Sequence, residues 1–143
     1  DCILFFNEFD LLELRLKTLW DVVDYFVIVE APWTFSGKPK PYYFKEFHYG
    51  FAKYLPKIRH IQMSGNIEAS IAWEREWASR NAMVEGLHDA EPDDWVFQSD
   101  TDEIWRPELR DARRRSRSNR SRSARAVAAV AVVISRRLAA KRR

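Results

Sequence analysis

Cysteine is nearly missing from this chain: Cys2 stands alone among 143 residues. One thiol excludes an internal disulfide framework and any zinc site built on several cysteines. It neither requires nor excludes a secretory compartment. Histidine is scarce too, and His48, His60 and His88 lack the spacing of metal ligands. A surface role is expected for each. No apolar run approaches the roughly 20 residues that span a bilayer; Ala126–Ile134 is far shorter. No transmembrane segment is therefore expected. No signal peptide is visible, because the chain opens on the strand-like Asp1-Cys-Ile-Leu-Phe-Phe6. There is no initiator methionine, so a fragment or a processed form is expected. Ser36-Gly-Lys-Pro-Lys40 is not a P-loop, since the upstream glycine and the Lys-Ser/Thr pair are missing. No internal repeat is present.

Charge of one sign is missing from each half in turn. Residues 1–109 carry 11 Lys/Arg against 20 Asp/Glu, a net −9; residues 110–143 carry 13 against one, Asp111, a net +12. The overall +3 thus describes the tail and not the folded part. At 46% hydrophobic and 14% aromatic residues, the chain can bury the core of one ordinary domain. Two segments follow: 1–109, which can fold, and 110–143, a low-complexity Arg/Ser and Ala/Val tail that is expected to be disordered or partly helical.

Hydrophobic periodicity orders the first segment. Ile3–Phe6 predicts a buried strand. Leu11, Leu12, Leu14, Leu16, Leu19 and Trp20 recur at helical spacing, with Asp10 as the expected cap and Glu13 completing a box-like pattern. The second half of Val22–Glu30 predicts another buried strand. Strand, helix and strand in 30 residues form a βαβ unit and favour a parallel sheet. Ala31–Pro41 is a loop, marked by Pro32, Gly37, Pro39 and Pro41. Phe44–Leu55 contains a short helix, Ile58–Met63 a third strand, Ala69–Leu87 a long helix ending near Gly86, and Trp95–Gln98 a fourth strand. The fold class is α/β. In open α/β sheets ligands bind beyond the carboxyl ends of the strands.

Three groups of residues fall on that rim. Asp100-Thr-Asp102 follows the fourth strand directly. Alternating carboxylates there point the same way if strand geometry persists. Hard divalent cations take oxygen ligands, and Mg²⁺ often takes one or two carboxylates plus phosphate oxygens. The D-x-D is then a metal site, Asp100 and Asp102 holding an ion against a diphosphate; an acidic turn or helix cap is the plain alternative. Asn7 and Glu8 follow the first strand and Glu30 ends the second. They are either solvated loop carboxylates and amides or partners for a base or ribose. Trp73-Glu-Arg75-Glu-Trp77-Ala-Ser-Arg80-Asn81 lies on the helix before the D-x-D strand. It is either a charged face with Glu76–Arg80 pairing, or it supplies an arginine, Arg75 or Arg80, to the diphosphate while Asn81 buttresses the metal loop. Lys38 is a further candidate for phosphate.

Taken together these blocks resemble glycosyltransferase family 17. The carrying residues are Asp1–Leu16, Val22–Glu30, Phe35-Ser-Gly-Lys-Pro-Lys-Pro41, Trp73-Glu-Arg-Glu76 with Arg80-Asn81, and Ser99-Asp-Thr-Asp-Glu-Ile104, in the family's order over residues 1–107. The resemblance implies a GT-A-like, Rossmann-like sheet with flanking helices. It implies UDP-GlcNAc as donor and a divalent metal, Mn²⁺ or Mg²⁺, at Asp100 and Asp102. It implies donor contacts from Asn7, Glu8, Glu30, Lys38, Arg75, Arg80, Asn81 and Asp100. It further implies inverting transfer of GlcNAc to the β-mannose of a glycoprotein N-glycan core, in the Golgi for a protein of the animal type.

The similarity stops near Pro107. The tail supplies nothing like an acceptor site or the carboxylate base that an inverting transfer needs. The expectation is a nucleotide-sugar-binding part, 1–109, that binds donor without efficient transfer. A non-catalytic remnant, or a product of faulty gene prediction, is one alternative. A nucleic-acid-binding protein acting through the basic tail is the other, and the tail's lack of interleaved aromatics speaks against it.

Overall fold

In a computed structural model of the protein, residues 1–64, 71–92, 94–109 and 130–132 are described. Five strands form one parallel sheet: β1 (Cys2–Leu4), β2 (Phe26–Glu30), β3 (Ile58–Gln62), β4 (Val96–Gln98) and β5 (Val130–Val132). Their order is β3-β2-β1-β4-β5. The chain builds outward from β1 through β2 to β3, then returns to the other side of β1 with β4. The α/β parallel reading is therefore correct. The three residues of β5 are the only described part of the tail, and their backbone is extended. The rest of 110–143 lies outside the described residues.

Alternation along the strands explains why the sheet is covered on both sides. Phe26 and Ile28 of β2 join Ile3 and Phe5 in one core with Leu12, Leu16 and Leu19. Val27 and Val29 join Cys2 and Met83 in the other. A parallel sheet needs this double cover. Helix α1 (Phe9–Leu19) supplies the first layer, its buried positions Leu12, Arg15, Leu16 and Leu19 spaced three and four apart. It ends where the amides of Val22 and Val23 both donate to the Leu19 carbonyl, each at 3.0 Å. That turn is why β2 starts at Phe26 and not at Val22. Helix α2 (Tyr43–Phe47) and the 3-10 turns of His48–Lys57 complete this layer through Phe44, Phe51 and Tyr54.

Two corrections concern helix ends. Asp10 does not cap α1; the helix begins at Phe9 with Glu8 in the cap position. The long helix expected over 69–87 is α3 (Ala72–Ala82) followed by a 3-10 turn, Met83–Leu87, with 69 and 70 outside the described residues. Gly86 lies within this 3-10 turn. It lies so close to β2 that a Cβ there would sit 2.5 Å from a Val27 methyl. Gly86→Ala should therefore cost about 1–3 kcal/mol through overpacking. Urea unfolding checks this, and adding Val27→Ala should return part of the loss. An unchanged midpoint for the single variant would contradict the close approach. Among the described residues no helix is long and apolar enough to cross a membrane.

Candidate functional site

Strand order reverses between β1 and β4, and the crevice at such a reversal is the expected ligand site of an open α/β sheet. The chain leaving β1 carries Phe5, Phe6, Asn7 and Glu8; the chain leaving β4 carries Ser99, Asp100, Thr101 and Asp102. A cavity of about 700 Å³ opens here, with Glu8, Lys40, Arg75, Glu76, Asp100 and Asp102 as its charged lining. Four carboxylates against two cations leave it with a formal charge of −2.

The D-x-D segment is not continued strand. The Glu103 amide donates to the Asp100 carbonyl at 3.0 Å and closes a turn over 100–103. Thr101 is the residue turned inward, 5% exposed, and its hydroxyl donates to the Leu4 carbonyl at 2.8 Å. The carboxylates on either side of it both reach the cavity wall. The common direction expected from strand pleating is thus achieved by a turn anchored to β1.

Arg15 holds that turn from behind, and nothing in the motif reading pointed to it. Its side chain is fully buried and makes a bidentate pair with Asp1, Nε to Oδ2 at 2.8 Å and Nη2 to Oδ1 at 2.9 Å. Nη1 donates to the carbonyls of Asp100 (2.9 Å), Thr101 (3.3 Å) and Glu103 (3.1 Å), and Nη2 to the Ser99 hydroxyl at 2.6 Å. Trp105 Nε1 adds a bond to Asp1 Oδ1 at 3.0 Å. Burial pulls the guanidinium from its ordinary value down to about 10, against the raising effect of nearby acids led by Glu103. It remains a cation at neutral pH. The sequence did carry a signal: one arginine among the leucines of a buried helical face.

Arg80 meets the turn from α3. Its Nη2 donates to Asp100 Oδ1 at 2.8 Å and its Nε to Glu76 Oε1 at 2.8 Å. Burial lowers its pKa, but Asp100 and Glu76 outweigh burial and hold it above the ordinary value. The helical pair with Glu76 and the contact to the D-x-D therefore coexist. Arg75 lines the cavity and pins the loop after β2, donating to the Phe35 carbonyl from Nη2 at 2.9 Å. Gly37, at φ +85°, lets that loop fold over the guanidinium; a Cβ there would be 3.1 Å from Arg75 Cζ.

The other expected residues divide. Glu8 lines the cavity, and its Oε2 accepts from the amides of Phe6 and Asn7, each at 3.1 Å. Asn7 and Asn81 are exposed and do not line the cavity; Arg80, not Asn81, is what reaches the D-x-D turn. Glu30 sits on the rim but is fully buried. Its carboxylate accepts from the Phe44 and Lys45 amides at 2.9 and 3.3 Å and meets His60 Nε2 at 2.8 Å. It anchors the start of α2, so it offers a base or ribose no free oxygen. His60 is accordingly not a surface residue; its side chain is 16% exposed and packs edge-on to Phe44. Lys38 is exposed and outside the cavity wall, whereas Lys40, two residues on, is part of it.

Two cavity-facing carboxylates fit a hard cation that draws most of its ligands from elsewhere. The Asp100 side chain is 48% exposed and Arg80 takes one of its oxygens; Asp102 is exposed. No group of three or more His, Cys, Asp or Glu able to hold a metal occurs among the described residues.

Comparison with known proteins points in one direction. Residues 1–112 match the description of glycosyltransferase family 17. Over 107 residues the chain is 36% identical to the human protein named β-1,4-mannosyl-glycoprotein 4-β-N-acetylglucosaminyltransferase, covering 68% of this chain and 20% of the relative. The rat protein of that name is likewise 36% identical and the mouse protein 35%, with the same coverage. The chain thus spans about a fifth of the length of these relatives. No solved structure matches it.

Proposed function

The chain belongs to glycosyltransferase family 17, and we propose on that premise that its cavity is the donor side of a GlcNAc transferase. Asp100 and Asp102 hold a divalent cation, Mn²⁺ or Mg²⁺, and through it the diphosphate of UDP-GlcNAc. The acceptor, by the name of the relatives, is a β-1,4-mannosyl glycoprotein, and a Golgi setting is part of the same proposal. The described stretch corresponds to the donor side only, and the carboxylate that takes the acceptor's proton is not assigned to a residue.

The observation that carries this reading is a cavity of charge −2 in which Asp100 and the exposed Asp102 lie at the strand-order reversal. A nucleoside diphosphate is itself an anion. Such a cavity repels it until a dication reverses the sign. When bound, the metal supplies Lewis-acid stabilisation of the departing diphosphate. The chain's own residues do the positioning. Arg15 keeps the turn's carbonyls directed inward so that its carboxylates face out. Arg80 holds Asp100 in one orientation, and Arg75 holds the loop that walls the cavity.

Because the protein contributes only two carboxylates, metal and nucleotide should each bind weakly alone and tightly together, a reciprocal coupling. Calorimetric titration of UDP-GlcNAc with Mn²⁺ present, and again with a chelator, tests this. Binding is expected only with the metal. Equal affinity in chelator would sink the reading.

A further inference from the structure

Lys40 is a buried and under-bonded charged group in the cavity wall. Its side chain is 5% exposed. An ammonium carries three donors, yet Lys40 Nζ has one weak bond, to the Pro41 carbonyl at 3.3 Å. Its ion partner Glu30 is 3.9 Å away, beyond hydrogen-bond distance, and that carboxylate already receives two amides and His60. The faces of Phe6 and Tyr43 lie 5.4 and 5.2 Å from Nζ. These rings attract a cation but accept no strong hydrogen bond. Burial depresses the Lys40 pKa, with Glu30 and then Glu8 opposing. A buried, under-bonded ammonium is costly unless something completes it.

The geometry points to Lys40 as the cavity's direct contact to a phosphate oxygen of the nucleotide, in a wall it shares with Asp100 and Asp102. This rests on the donor-site reading above and adds the group that binds anion without the metal's mediation. Arg75 already spends its Nε and Nη2 on the Phe35 carbonyl and holds the loop, and Arg80 is not part of the cavity wall. The loop's other lysine, Lys38, is exposed and outside the wall. The alternation Lys-Pro-Lys turns one lysine outward and the other in.

The experiment compares wild type, Lys40→Met, Lys40→Gln and Lys38→Met. UDP with Mn²⁺ is titrated calorimetrically, uridine binding is followed by saturation-transfer NMR, and Mn²⁺ alone by its paramagnetic resonance signal. Loss of one charge-assisted bond predicts about a tenfold to hundredfold weaker UDP binding in both Lys40 variants. Uridine, which has no phosphate, and Mn²⁺ alone should bind as in wild type, and Lys38→Met should change nothing. Should Lys40→Met not fold, as judged by circular dichroism, the polar Lys40→Gln carries the comparison. Unchanged UDP affinity in a folded Lys40 variant overturns the assignment while leaving the donor-site reading intact. Parallel loss of uridine and UDP overturns it also, because Lys40 would then be shaping the cavity. Failure of wild type to bind UDP with Mn²⁺ removes the donor-site reading and this inference with it.

Discussion

Arg15→Met lowers the unfolding free energy by about 3–5 kcal/mol, the usual cost of removing one member of a buried ion pair. Most of the loss comes from what is left behind. Asp1 becomes a buried carboxylate whose side chain is 0% exposed and keeps only the Trp105 indole among the bonds described above. Three carbonyls of the 99–103 segment lose their common donor. For a domain of this size a loss of that order is a large share of the total stability. Removing both ends of the pair separates the charge from the packing: Arg15→Met with Asp1→Leu should be more stable than Arg15→Met alone. Urea titration with a double-mutant cycle measures this. A single variant within about 0.5 kcal/mol of wild type, the range of an ordinary surface substitution, would mean that Arg15 does not hold the turn.

Asp102→Ala should weaken metal-dependent nucleotide binding strongly while leaving the fold intact. Asp102 is exposed, so its truncation belongs to the surface class, within about ±0.5 kcal/mol of stability. Its charge is another matter. Two unit charges 4 Å apart interact by about 4 kcal/mol at a surface-like effective dielectric of 20, and the ion carries two. Even after discounting for solvent, a loss of about a hundredfold in Mn²⁺-supported UDP affinity, roughly 2.8 kcal/mol, is expected. Asp100→Ala should show the same loss and additionally free Arg80, which then keeps only Glu76 of its two carboxylates. Calorimetry with UDP and Mn²⁺, beside thermal melts, distinguishes the two parts. Tight UDP binding by Asp102→Ala with Mn²⁺ present would exclude this turn as the metal site.

These two expectations differ in how far the sequence could foresee them. The apolar runs Ile3–Phe6 and Phe26–Glu30, with a leucine-rich helix between, announce a parallel βαβ start, because a strand buried on both faces must be apolar throughout. The end of β4 at Gln98 places Asp100 and Asp102 on the ligand rim for the same reason. Helix length was over-read at α3, since no periodicity reveals that Gly86 is drawn against Val27. Whether strand geometry persists through the D-x-D or gives way to an acidic turn is open in the sequence, since the turn is anchored by a hydroxyl bond from Thr101 to a carbonyl 97 residues away.

Local pattern by itself therefore determined the class of fold, the order of its strands along the chain and the position of the two carboxylates after the fourth, though the first strand is Cys2–Leu4 and not Ile3–Phe6. Tertiary structure alone decided which polar groups are free. Glu30 looked available for a ligand and is consumed by α2 and by His60, 30 residues on. Lys38 and Lys40 look alike in the chain, and only the fold turns the second into the cavity. Arg15 carries no motif in the chain, and only the fold shows it tying together backbone 85 to 88 residues downstream. Hydrophobic burial is written in short-range periodicity, whereas a buried polar group is satisfied by partners that only the assembled sheet brings within hydrogen-bond reach.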